Sequence, residues 1–176
     1  MLKVTLPAIL GLLSCVAFAQ SAPIQPAEPD AIGVVFYLDS ANNKLVPLPD
    51  EPYKAVGHPK GLGFGGATGV IVLDGTDSAF RIPNSDKLAW VVRVSNPEVV
   101  KLYLFTRKKK TREAELARAG FGGTSIKQFT GIPLLVTKYG DSSFKLTPES
   151  HLEPGEYAID LPGGKMFTFG IDAPKQ

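Results

Sequence analysis

LEPGEYAIDLPGGKMFTFGID, residues 152–172, has the alternation and punctuation of a β-hairpin. Side chains of a strand point alternately to its two sides. Phe167, Phe169 and Ile171 therefore share one face, and Met166, Thr168 and Gly170 the other. Tyr157 and Ile159 mark the strand before it. Leu161, Pro162, Gly163 and Gly164 make the turn between the two. Ahead of the first strand, Pro154 and Gly155 suit the central positions of a type II turn, where proline presets φ and glycine accepts φ above zero.

The same pattern extends towards the amino terminus. Short β-branched and aromatic runs, separated by Gly, Pro, Asn, Asp or Ser, occupy 32–38, 44–48, 53–56, 69–73, 79–82, 88–94, 99–107, 112–116, 134–139 and 143–146. With 156–159 and 166–171 they predict an all-β sandwich or barrel. Leu88, Trp90, Val92 and Val94 lie on one strand face, with Trp90 as a core anchor. Leu102 and Leu104 oppose Tyr103 and Phe105, so that strand is apolar on both sides and is expected in the middle of a sheet. TREAELARA, Thr111–Ala119, is rich in helix formers. Nine residues make a marginal helix, however, and its flanks are β-like. A hairpin return strand is the expectation.

The chain opens with Met1, Leu2 and Lys3, an apolar run from Val4 to Phe18, and Ala17-Phe18-Ala19 before Gln20. A charged start, an apolar middle and small residues before a cut are the layout of a secretory signal peptide. The run is shorter than the roughly 20 apolar residues of a membrane span. Cleavage after Ala19 is expected. Leu12-Leu13-Ser14-Cys15 resembles a lipoprotein lipobox, and the alternative is cleavage before Cys15 with lipid on its thiol. The predicted organisation is a signal peptide at 1–19, a Pro-rich linker at 20–30 and a single immunoglobulin-like β-sandwich at 31–176. Cys15 is the only cysteine, so cleavage after Ala19 leaves no thiol and no disulfide. A net charge of +2 is too small to imply a polyanionic partner.

Motifs of chemistry are scarce. Gly61-Leu62-Gly63-Phe64-Gly65-Gly66 spells GxGxxG, but a strand-like stretch follows it where a dinucleotide site needs a helix. No cofactor is expected. Gly120-Phe121-Gly122-Gly123 repeats the letters without matching flanks. Both loops are read as needing left-handed backbone or close chain approach, with Phe64 and Phe121 tucked into the core. His58 and His151 are far apart in sequence, so neither a zinc nor a copper site is expected. The runs Asp39 to Asn43 and Asp74 to Asp77 carry acidic ligands without the order of a calcium loop. Glu153 and Glu156 flank His151 and are read as a solvated turn. No catalytic residue is assigned, and the chain is not expected to be an enzyme. Arg107, Lys108, Lys109, Lys110 and Arg112 form the one strong charge run, a candidate anion-binding tip or else the soluble end of a hairpin. It has no interleaved aromatics, and nucleic acid is not an expected partner.

L-x-P-G-x-Y before a strand resembles the corner of immunoglobulin-like, fibronectin-type and transthyretin-like sandwiches, in which the tyrosine hydrogen-bonds back across the turn. The ending PGEYAID…FTFGID, with GVVFYLD and the GFGG loop, is similar to that of uncharacterised exported bacterial β-sandwich proteins. The resemblance implies fold and compartment and carries no active site. The expected function is that of a secreted or periplasmic non-catalytic binding module. It would contact an envelope protein or glycan through loops at one end of the sandwich. The alternatives are a lipid-anchored structural or assembly component of the cell envelope and, third, an enzyme with an unrecognised site.

Overall fold

The computed structural model describes residues 25–59, 66–85, 87–120 and 126–173. The expected signal peptide, Cys15 and the cut after Ala19 lie outside the described residues, as do Phe64 and Phe121. The chain is all-β, with 56% of it in strands and almost no helix. In order the strands are β1 (Val35–Asp39), β2 (Lys44–Pro47), β3 (Asp50–Glu51), β4 (Tyr53–Pro59), β5 (Ala67–Asp74), β6 (Arg81–Ile82), β7 (Trp90–Val92), β8 (Lys101–Arg107), β9 (Thr111–Ala119), β10 (Ile126–Gln128), β11 (Leu134–Tyr139), β12 (Ser143–Pro148), β13 (Gly155–Leu161) and β14 (Lys165–Ile171). Each of the apolar runs seen in the sequence contains a strand. TREAELARA is β9, bonded to β5 along its length. The strands that carry no such run are β3 and β10, which are short and polar.

A five-stranded sheet has the order β11-β12-β7-β1-β2. A nine-stranded sheet runs β3-β14-β13-β8-β9-β5-β4, with β10 beside β9 and β6 beside β14. The larger sheet curls into a half-barrel, and its two ends meet in one chain segment. β3 pairs with β14 and β4 pairs with β5, yet only Pro52 separates β3 from β4. Proline has no N–H to give a ladder and so belongs at such a break.

Curling gives the large sheet two buried faces. One packs on the small sheet: Leu102, Tyr157, Ile159, Phe167, Phe169 and Ile171 meet Val35, Trp90, Val92 and Leu146. Trp90 is fully buried, with its ring 4.9 Å from Phe169, and Tyr157 stacks on the other side at 5.5 Å. The inner face of the curl holds a second core of Ile71, Leu73, Tyr103, Phe105, Ala114, Ala158 and Met166. The alternation of β14 thus separates two cores, where a plain sandwich would separate core from solvent.

The corner before β13 forms: the Tyr157 hydroxyl donates to the Glu153 carbonyl at 2.7 Å. The expected type II turn at Pro154-Gly155 does not. Gly155 has no positive φ and already belongs to β13. A Cβ there would press on Leu104 Cδ1 at 3.2 Å and Tyr157 Cε2 at 3.3 Å, so close packing is what calls for glycine. Gly163 and Gly164 do adopt φ of 99° and 78° in the next turn. Gly66 has φ 87°, and a Cβ on it would lie 2.1 Å from the Ala119 carbonyl oxygen. That close approach joins the start of β5 to the end of β9, where the first GFGG segment ends and the second begins.

Part of the expected linker is docked on the domain. The Glu28 carboxylate accepts from the N–H groups of Asp141 (3.0 Å) and Ser142 (2.6 Å), and Tyr139 Oη donates to the Pro26 carbonyl at 2.7 Å. The turn after β11 leaves those N–H groups unpaired, and the carboxylate satisfies them.

Candidate functional site

β8 and β9 leave the tip at Lys108, Lys109 and Lys110 as a hairpin and then part. They pair only through Thr106 with Glu113 and Arg107 with Arg112. The chain at 126–132 crosses the gap. β10 pairs with β9, the Phe129 N–H bonds the Leu116 carbonyl at 2.8 Å, and the Ile132 N–H bonds the Leu102 carbonyl at 2.7 Å. Gly131 permits the crossing with φ 85°, since a Cβ would sit 2.6 Å from the Leu102 carbonyl oxygen. What remains is a cleft of about 460 Å³ lined by Leu104, Glu113, Glu115, Lys127 and Phe129 among others. Among the described residues, Tyr103, Leu104 and Phe105 have no partner strand on the side facing the gap, nor have Ala114 and Glu115. As expected, β8 lies inside the large sheet, between β13 and β9, yet Leu104 is 53% exposed on the wall of the cleft. Lys127 Nζ lies 5.2 Å over the Phe129 ring on the far wall.

At the tip end of the half-barrel, acidic and basic groups interlock. Glu156 was read as part of a solvated turn. Its side chain is fully buried, because alternation along β13 turns it into the curl beside Ala158. It accepts from Arg81 Nη1 (2.6 Å), Arg107 Nη2 (2.7 Å) and the Ser78 N–H (2.7 Å). Burial alone would push its carboxyl up; those donors outweigh it and hold it below the usual carboxylate range. Arg81 also binds Asp172, and its guanidinium passes over Gly170, where a Cβ would overlap it. Arg112 is 1% exposed and reaches Glu51 at 2.6 Å, while Thr168 Oγ1 donates to the other oxygen of Glu51 at 2.5 Å.

The five-residue basic run is therefore divided. Arg107 is engaged by Glu156 and by Asp77 at 2.6 Å, and Arg112 points inward. Lys108, Lys109 and Lys110 are left exposed at the tip. The Asp74 to Asp77 loop turns its carbonyls on Arg112, whose Nη1 donates to those of Asp74, Gly75 and Asp77 at 3.0, 3.2 and 3.3 Å. A guanidinium takes the oxygens that a calcium ion would need. Asp39 accepts from the backbone and side-chain amides of Asn42 and so closes its own turn. His58 is exposed on β4, and His151 borders a hollow of about 200 Å³ with Ser85 and Glu149. The structure does not bring the two histidines together in one pocket.

The β8–β9 gap had no signal in the sequence, since both strands read as an ordinary hairpin. Glu156 did carry one: it is in phase with Ala158, between apolar neighbours. The chain matches no known protein-family model, no curated protein sequence and no solved structure.

Proposed function

We infer that the chain is a secreted or periplasmic, non-catalytic binding module that takes an extended segment of an envelope protein into the gap between β8 and β9. The observation that carries this reading is the pair of unpartnered strand edges facing a cleft with Leu104 exposed in it. An added strand would satisfy those edges through main-chain hydrogen bonds, with side-chain pockets giving selectivity. The immunoglobulin-like relation is part of the proposal. It is supported by the two sheets around Trp90 and by the Tyr157 corner, while the curled large sheet departs from a plain sandwich. Export is supported by the layout of residues 1–19. No helix among the described residues is long and apolar enough to cross a membrane.

The test is affinity capture from envelope extract with the mature chain, followed by amide hydrogen exchange on the complex. A bound segment should protect the gap-facing amides of Leu104 and Glu115, and Leu104→Asp should abolish capture. Protection confined to the loops, or capture of glycan alone, would count against the gap. The alternative of a lipid-anchored assembly component rests on Leu12 to Cys15. Intact mass separates the two, because that form begins at Cys15 with a lipid adduct.

A further inference from the structure

Every second residue of an antiparallel strand turns its N–H and C=O to the same neighbour. Thr106 pairs with Glu113, and the Lys108 N–H bonds the Thr111 carbonyl. In that phase Leu104 and Glu115 turn their main-chain groups into the gap, while Tyr103 and Ala114 turn theirs to β13 and β5. The next acceptors along the two walls are taken. The Leu102 carbonyl accepts from the Ile132 N–H at 2.7 Å, and the Leu116 carbonyl from the Phe129 N–H at 2.8 Å. Beyond Leu116, the residues Ala117, Arg118 and Ala119 pair with Gln128, Lys127 and Ile126 of β10. One open residue on each wall is too little for strand addition, which draws its affinity from a run of main-chain bonds. From Glu115 to Ala119 the edge of β9 is long enough for a strand, and the chain's own segment 126–130 lies on all of it but Glu115.

That segment is lightly held. All three residues of β10 are exposed, Ile126 at 68%. Past it the chain is fixed, because Ile132 packs on the sandwich core and the Pro133 carbonyl accepts from the Glu149 N–H at 3.1 Å. Gly131, at φ 85°, stands between the two stretches. A strand with exposed side chains and few buried apolar contacts is the part of a sheet that opens at lowest cost. The segment also shows what the walls accept. Lys127 and Phe129 share one side of it, with Lys127 Nζ 5.2 Å over the ring. Both line the cleft with Leu104, Glu113 and Glu115. The chemistry of the seat is thus read from its present occupant: a basic side chain and, two residues on, an aromatic ring.

We propose that residues 126–130 are an internal stand-in for the partner, and that the envelope protein binds by displacing them. Its segment pairs antiparallel with β9 from Ala119 to Glu115, with a basic residue in the place of Lys127 and an aromatic one in the place of Phe129. The inference rests on the reading of the gap as a strand site, and adds the partner's chemistry and the contact that holds the site shut. Apparent affinity is scaled by the fraction of molecules in which the seat is open. Gly131 keeps that fraction low, because a Cβ there would lie 2.6 Å from the Leu102 carbonyl oxygen and push the crossing away.

The probe is a fluorescein-labelled peptide IKQFTGIP, residues 126–133, added to the chain that begins at Gln20 and so has no cysteine of its own. Ala117→Cys with Gln128→Cys, at facing positions of β9 and β10, locks the segment on its seat when oxidised. Fluorescence anisotropy should show saturable binding to the reduced double variant and none to the oxidised one. Gly131→Ala should bind about tenfold tighter than wild type. A peptide with Glu in the place of Lys127 and Ser in the place of Phe129 should not bind. Equal binding by the two redox forms, no binding by the reduced form, or undiminished binding of the altered peptide each overturns the proposal. A Gly131→Ala dimer that the oxidised lock abolishes would give the seat to a second copy and overturn its assignment to a different protein. The gap reading fails separately, if Leu104→Asp leaves capture from envelope extract intact.

Discussion

Tyr157 shows how much one hydroxyl can hold. Its ring stacks on Phe169 in the core and its Oη ties the chain back to Glu153. Tyr157→Phe keeps the packing and loses one hydrogen bond, so urea unfolding should show a loss of about 1 kcal/mol. Glu51 is a harder case. Removing it strands the buried Arg112 guanidinium beside a few carbonyls, and breaking a buried pair costs about 3–5 kcal/mol. Glu51→Ala is expected at the low end of that range, because the carbonyls remain. Asp160 works in the opposite direction. Its folded-state pKa is raised above 3.8, so the folded protein holds its proton more tightly than the unfolded chain. That contribution is fully present below pH 3.8 and is lost as pH rises through the folded value. Asp160→Asn should therefore raise Tm at pH 7, with the gain disappearing below pH 3.8.

Among the strands, β5 and β9 show what a loop glycine does for a sheet. Gly66 sits at positive φ with the Ala119 carbonyl against it, so Gly66→Ala meets both backbone strain and a clash. Left-handed strain alone is of order 1–3 kcal/mol. The expected result is a loss of at least that size in urea unfolding, together with faster amide exchange at Ala67 and Ala119. Normal stability in the variant would show that the two strand ends do not depend on this approach. The hairpin of β8 and β9 behaves differently along its length. Arg107 and Arg112 carry it into the ion network, while the tip lysines are tied down only by backbone bonds, Lys108 N–H to the Thr111 carbonyl and Gly75 N–H to the Lys110 carbonyl. β9 was legible as a strand, despite its helix-forming composition, from the β-like segments on either side. β3 and β10 were not, because they are made into strands by their neighbours β14 and β9.

For the molecule as a whole, acid should loosen the attachment of the amino-terminal lead before it unfolds the domain's apolar cores. Burial tends to raise the Glu28 carboxyl, but the N–H groups of Ser142 and Asp141 and the serine side chains hold it down to about 2. Glu156 is likewise held below the usual range. Both groups have depressed folded-state values. Their stabilising contributions are present above the unfolded value of 4.5 and are lost as pH falls through the folded ones. Thermal melts should show Tm falling below pH 4.5, and Glu28→Gln should flatten that fall.

Alternation in LAWVVRV and KMFTFGI was enough to place Trp90, Phe167 and Phe169 in a core, because the two-residue period of a strand is local chemistry. The same local chemistry assigned the tip lysines to a turn. It could not say that the second face of β14 would also be closed. That follows from Pro52 bending one strand between two partners, from β14 and β5 meeting around it, and from a long-range curl that no window of sequence contains. The curl buries Glu156 against Arg81, 75 residues away in the chain, and draws Arg112 inward. The gap between β8 and β9 is likewise a long-range feature, crossed by the returning chain at 126–132, which bonds Leu116 on one wall and Leu102 on the other. Except in β3 and β10, strand identity is set by neighbours along the chain. The charged groups and clefts are set by neighbours across it.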